Sequence, residues 1–87
     1  MNRSELLDLA KRTVCEDRAT THGDLEDNFA VVADLWSTYL PHVRLSPADV
    51  AAMMVLFKIA RIRTNPRHMD SWIDVAGYAA CGAEVTP

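Results

Sequence analysis

Three groups of polar residues in this 87-residue chain have types and spacings suited to chemistry. Asp70 and Asp74 stand four apart, so on a helix they share a face and repel. A divalent cation such as Mg2+ relieves that repulsion, because it takes carboxylate and phosphate oxygens together. Solvation near a helix N-terminus, where the dipole favours acids, relieves it as well. Lys58 and Arg61 stand three apart, directly after an apolar run. Arg offers a phosphate a planar fork and Lys a point charge. The same two cations also suit a helix C-terminus and an ion pair with Asp70 and Asp74 across a short turn. The third group runs from Asp17 to Asn28 and holds Arg18, His22, Gly23, Asp24, Glu26 and Asp27. Polar density at a helix start can hold an anion on the amide ends or a metal on the acids. It can equally be an ordinary capped connection between two helices. Glu26 and Asp27 are adjacent and point about 100° apart, so they do not both face one ion unaided.

Two further residues are secondary candidates. His68 lies two residues before Asp70. Tyr78 lies eight after it on the same helical face, where its ring either stacks a base or fills the core. His42 has no partner at metal-ligand spacing and reads as a surface or capping residue. The chain has no P-loop, nucleophile elbow or paired zinc-ligand set.

The elements that must position these residues are helices. Strand alternation and hairpin turns are absent, and breaks at 20–23, 41–47 and 64–66 leave four helical segments. The first runs from about Ser4, a plausible N-cap, to Arg18, with Leu6, Leu7, Ala10 and Val14 as its apolar stripe. The second starts near Asp24 and carries Leu25, Phe29, Val32, Ala33, Trp36, Tyr39 and Leu40 on one face before Pro41 stops it. The third opens on Ser46 as N-cap, Pro47 at the first position and Asp49 where a capping-box acid belongs. Its run from Val50 to Phe57 is apolar all round, which predicts a central helix buried on several sides. The fourth begins between Asn65 and Asp70 and reaches about Glu84. Its predicted apolar face is Trp72, Ile73, Ala76, Ala79, Ala80 and Ala83, small enough for close helix packing or a dimer interface. Phe29, Trp36, Met53 and Met54 are predicted as core.

Composition sets the class. Apolar residues make up 49% and charged residues 24%, which is globular rather than disordered. Nine basic against twelve acidic side chains leave a net charge of −3, which disfavours nucleic-acid or anionic-membrane binding driven by overall charge. The longest apolar run, eight residues, is too short to span a bilayer. The opening Met-Asn-Arg-Ser-Glu holds no apolar signal region, so a cytoplasmic protein is expected, with Cys15 and Cys81 as reduced thiols. One domain covers residues 1–87, and a chain this short gains core by self-association. The expectation is therefore an all-α, compact four-helix domain packed into a homo-oligomer.

Longer patterns carry a resemblance. They are Asp17-Arg18 with His22-Gly23 and Asn28-Phe29, then Leu35-Trp36 with Tyr39-Leu40, then Asp49-Val50-Ala51 through Lys58-Ile59-Ala60-Arg61, then His68 to Ala80. Together they resemble a family of small phage and prophage helical proteins of unassigned function, over about Leu6 to Glu84. More distantly, the Lys-x-x-Arg helix followed by Asp-x-x-x-Asp-x-x-x-Tyr is similar to phage nucleotide-modification-associated proteins. It is similar also to MazG-like all-α nucleoside triphosphate pyrophosphohydrolases. Those enzymes carry a Glu-Glu-x-x-Glu helix and a Glu-x-x-Asp helix. Here the second pair is one residue wider, and only Glu26 and Asp27, or Asp34, stand for the first. The resemblance implies a phage-type nucleotide-handling protein in the host cytoplasm. As a hydrolase it would hold Mg2+ on Asp70 and Asp74 and neutralise phosphate charge with Lys58 and Arg61. Glu26 or Asp27 would supply the base. Arg18, His22, Gly23, Asn28, His68 and Tyr78 would contact the ligand. The alternatives are a binder that sequesters a signalling nucleotide without cleaving it, and a small protein-interaction module.

Overall fold

The computed structural model describes the backbone of residues 1–17 and 25–87, and the side chains of 1–16 and 28–87. It is all-helical, with four helices and no strand among the described residues. We label them α1 (Arg3–Arg12), α2 (Leu25–Tyr39), α3 (Pro47–Thr64) and α4 (Met69–Val85). Each packs mainly on one or two neighbours, in the spatial order α1, α4, α3, α2, with the α3–α4 contact the most extensive.

The start of α1 differs from expectation. Asn2, not Ser4, is the N-cap, and its Oδ1 accepts from the Glu5 N–H at 2.9 Å. Asn ranks with Ser as a capping side chain, so the helix simply gains two residues. At its other end α1 widens into a π turn over Thr13–Asp17. This turn sets Val14 against α4, where a Cβ built on Gly77 would lie 2.9 Å from Val14 Cγ1. Val side chains have little rotamer freedom to yield, so Gly77 is what lets the π turn approach.

The capping box of α3 forms as the sequence predicts. Ser46 Oγ accepts from the Asp49 N–H at 3.1 Å, and Asp49 Oδ2 accepts from the Ser46 N–H at 2.9 Å. Before it, Ser37 Oγ accepts from the Leu45 N–H at 2.8 Å while donating to the Ala33 carbonyl at 2.7 Å. Arg44 pairs with Asp34 close by. The α2–α3 connection is thereby tied back onto α2. Within it His42 takes a positive φ of 70° and is exposed, the surface position expected of it.

The core gathers Phe29 and Ala33 of α2, Val50 and Ala51 of α3, and Tyr78 and Cys81 of α4. Two expected faces are corrected. On α4 the buried residues are Ser71, Ile73, Gly77, Tyr78 and Cys81, while Trp72, Ala79, Ala80 and Ala83 face outward. The alanine stripe misled because the small buried residues on this helix are Ser71, Gly77 and Cys81, and half-buried Gly82 makes the closest approach to α3: a Cβ built on it lies 3.0 Å from the Ala51 Cβ. On α3 only Val50 and Ala51 are fully buried. Met53, Leu56, Phe57 and Ile59 are exposed, so this helix is covered on one side and bare on the other. Phe29 is buried and Trp36 and Met54 pack at the edge of the core, whereas Met53 does not.

Cys15 is exposed and Cys81 is buried, and no disulfide joins them. No helix among the described residues is long and apolar enough to cross a membrane.

Candidate functional site

The turn between α3 and α4 places the polar residues of interest. Asn65 ends α3 with its N–H on the Arg61 carbonyl at 2.9 Å, and its Oδ1 accepts from the Arg67 N–H at 3.3 Å. Its carbonyl accepts from the His68 N–H at 3.2 Å, and the His68 carbonyl accepts from Ser71 N–H at 3.1 Å. Trp72 Nε1 donates to the Pro66 carbonyl at 2.9 Å, clamping the turn from the first turns of α4. Only residues 65–68 separate the helices, so the end of α3 and the start of α4 are held side by side.

This arrangement divides the predicted site residues. Lys58 Nζ lies 3.0 Å from Asp74 Oδ2, with side chains 17% and 32% exposed. The pair is half-buried between α3 and α4, which is the ion-pair alternative for these two residues. Arg61 goes a different way. Its guanidinium carbon sits 5.0 Å from the centroid of the Phe57 ring, with Lys58 Nζ at 5.8 Å. Both distances fall within cation–π range.

Arg61, Phe57 and Ala60 line an open groove of about 520 Å³ at this corner, together with Thr64, Asn65, His68 and Ser71. Its walls supply a guanidinium, a side-chain amide, an imidazole and two hydroxyls around one aromatic face. Arg61 and His68, two separate ligand candidates of the sequence, line the same groove. Thr64 and Asn65 are legible in the sequence only as a break, Phe57 only as part of an apolar run, and Ser71 only as a member of the last motif block. Their signal was position: a polar turn after a Lys-x-x-Arg helix end.

The other candidates lie elsewhere. Asp70 is exposed on the first turn of α4 and, like Asp74 and Lys58, does not line the groove. Asn28 is exposed on α2. Tyr78, open between base-stacking and core, is core: it is 9% exposed and its ring stacks on Phe29 with centroids 6.4 Å apart. Arg18, His22 and Gly23, and the side chains of Glu26 and Asp27, lie outside the described residues. Among the described residues, no three His, Cys, Asp or Glu side chains cluster closely enough to hold a metal ion.

Fold and groove together define a small all-α protein whose helical hairpin carries a largely apolar groove edged by Arg61 at its closed end. By sequence, the chain belongs to the family described as Domain of unknown function (DUF6378), matched over residues 5–86. It is 42% identical over 74 residues to the Gene 55 protein of Mycobacterium phage L5, covering 85% of this chain and 47% of that protein. It is 41% identical over 76 residues to the Gene 55 protein of Mycobacterium phage D29, covering 87% of this chain and 50% of that one. The chain therefore spans about half the length of these phage relatives. No solved structure matches it.

Proposed function

We propose that this protein binds a phosphate-bearing ligand of the nucleotide class in the groove at the α3–α4 turn. One observation carries the reading: Arg61 stands over the Phe57 ring at the lip of a groove that also presents Asn65 and His68. A guanidinium offers bidentate hydrogen bonds to a phosphate, and the adjacent ring and side-chain amide offer stacking and edge contacts to a base. The choice of a nucleotide as the ligand class rests on the distant MazG-like resemblance of the sequence.

Binding without cleavage is the form this geometry favours. A hydrolase would need Asp74 for Mg2+, and Lys58 already neutralises that carboxylate at 3.0 Å. Mg2+ on Asp70 and Asp74 would have to displace Lys58 and recruit further acids, of which Glu26 and Asp27, or Asp34, are the sequence candidates, and Asp34 is paired with Arg44. Those acids would complete a cation site of the kind that holds a triphosphate.

Titration with a nucleotide panel, with and without Mg2+, tests the reading. Arg61→Ala should weaken nucleotide binding about tenfold or more, since a charged hydrogen bond contributes about 1.5–3 kcal/mol. Its melting temperature should stay close to that of the parent, because Arg61 is exposed. Asp74→Asn should leave binding largely intact. Nucleotide binding by Arg61→Ala equal to the parent's would overturn the assignment, and metal-dependent turnover lost in Asp74→Asn would favour the hydrolase instead.

A further inference from the structure

We propose that the bare outer face of α3 is the contact surface for a second copy of this chain, packed antiparallel about a two-fold axis at Leu56. Helices that are apolar all round are covered all round. Here α2 and α4 cover one side, leaving Met53 36%, Leu56 65%, Phe57 51% and Ile59 47% exposed. The face also holds Ala52 and Ala60, with Asp49 at its start and Arg63 at its end, all exposed.

The order of these residues identifies the occupant. Ile59 lies as far after Leu56 as Met53 lies before it, and Ala60 mirrors Ala52 in the same way. Arg63 likewise mirrors Asp49, one heptad away on either side. At 3.6 residues per turn all six lie within about 60° of the direction of Leu56. A two-fold axis at Leu56 then sets Met53 against the partner subunit's Ile59, and Ala52 against the partner subunit's Ala60. It also sets Asp49 against the partner subunit's Arg63, so acid meets base at both ends. A two-fold interface must be self-complementary in this way, residue i meeting j and j meeting i. In a parallel pair Asp49 would meet Asp49 and Arg63 would meet Arg63. The antiparallel pair also opposes the two helix dipoles favourably.

At roughly 150–200 Å² per large side chain, the exposed parts of Met53, Leu56, Phe57 and Ile59 amount to about 300–400 Å² per protomer. Both protomers together stay below the roughly 1,000 Å² total of a standard specific interface, so a weak dimer populated at high concentration is expected. The small Ala52 and Ala60 on either side of Leu56 allow the two backbones to approach.

Light scattering at about 100 µM, a concentration suited to such an interface, should give twice the 9.7 kDa chain mass. Leu56→Glu places two like charges on the axis and should halve that mass while circular dichroism keeps its helical signal. In a Cys15→Ser background, Leu56→Cys should form a disulfide-linked dimer on mild oxidation. Met53→Cys should cross-link to Ile59→Cys in a mixture but not to itself. Leu35→Cys, equally exposed on α2, should not cross-link. A parent that scatters as a monomer, a Leu56→Glu variant with the parent's mass, or cross-linking through Leu35→Cys in place of Leu56→Cys would each overturn the interface. The face shares Phe57 and Ala60 with the groove, so every readout is taken without nucleotide, and Leu56, which does not line the groove, tests the interface alone.

Discussion

Phe29→Ala and Tyr78→Ala are each expected to cost about 3–5 kcal/mol, as truncations of buried rings do. Stability of a domain this size is about 5–10 kcal/mol in total, so either change consumes much of it. The two rings stack across α2 and α4, and both belong to the cluster that includes Val50, Ala51 and Cys81. Losing one leaves a cavity bounded by three helices. Chemical denaturation read by circular dichroism should show the midpoint falling steeply for both variants. Tyr78→Phe keeps the ring and should retain most of the stability. Retention of parental stability by Tyr78→Ala would remove Tyr78 from the core and reopen its reading as a ligand residue.

Asp74→Ala is expected to lower stability by about 1–3 kcal/mol. It strands the Lys58 ammonium, 17% exposed, without its carboxylate. A fully buried unpaired charge costs about 3–5 kcal/mol, and partial exposure of this pair reduces that figure. Lys58→Met should cost about as much, for the reciprocal reason. The double variant Lys58→Met with Asp74→Leu should lose clearly less than the two singles together, because neither charge is then left alone. Thermal melts of the four proteins complete the cycle. Additive losses, together with a melting temperature that Mg2+ raises in the parent and not in Asp74→Asn, would instead mark Asp74 as a cation ligand.

Much of the helical layout was legible because local chemistry decided it. Ser46, Pro47 and Asp49 specify where α3 starts whatever surrounds it, and Pro41 and Pro66 interrupt the chain on either side. The juxtaposition of Lys58 with Asp74 followed from the short turn between their helices. The face each helix buries was less legible. On α4 alanine is apolar enough to suggest burial and small enough to be exposed without cost, whereas Gly77 and Gly82 were chosen by close approach to Val14 and Ala51. On α3 an apolar run says only that all sides are to be covered, and not whether the same chain does it. The groove was half legible. Arg61 and His68 announce themselves by charge, but Phe57, Asn65 and Ser71 join them only because the turn folds back.

The four-residue turn clamped by Trp72 has a kinetic consequence. Its two helices meet through contacts close in sequence, so little loop entropy is lost before their packing begins to stabilise the chain. Local topology of this kind folds early and fast. The α3–α4 hairpin is then the natural nucleus, with α2 and α1 docking onto it afterwards. Substitutions between the hairpin's helices would act chiefly on the rate of folding, and those on α1 chiefly on the rate of unfolding. The groove, sited at the closed end of that hairpin, would take shape in the earliest part of the molecule to form.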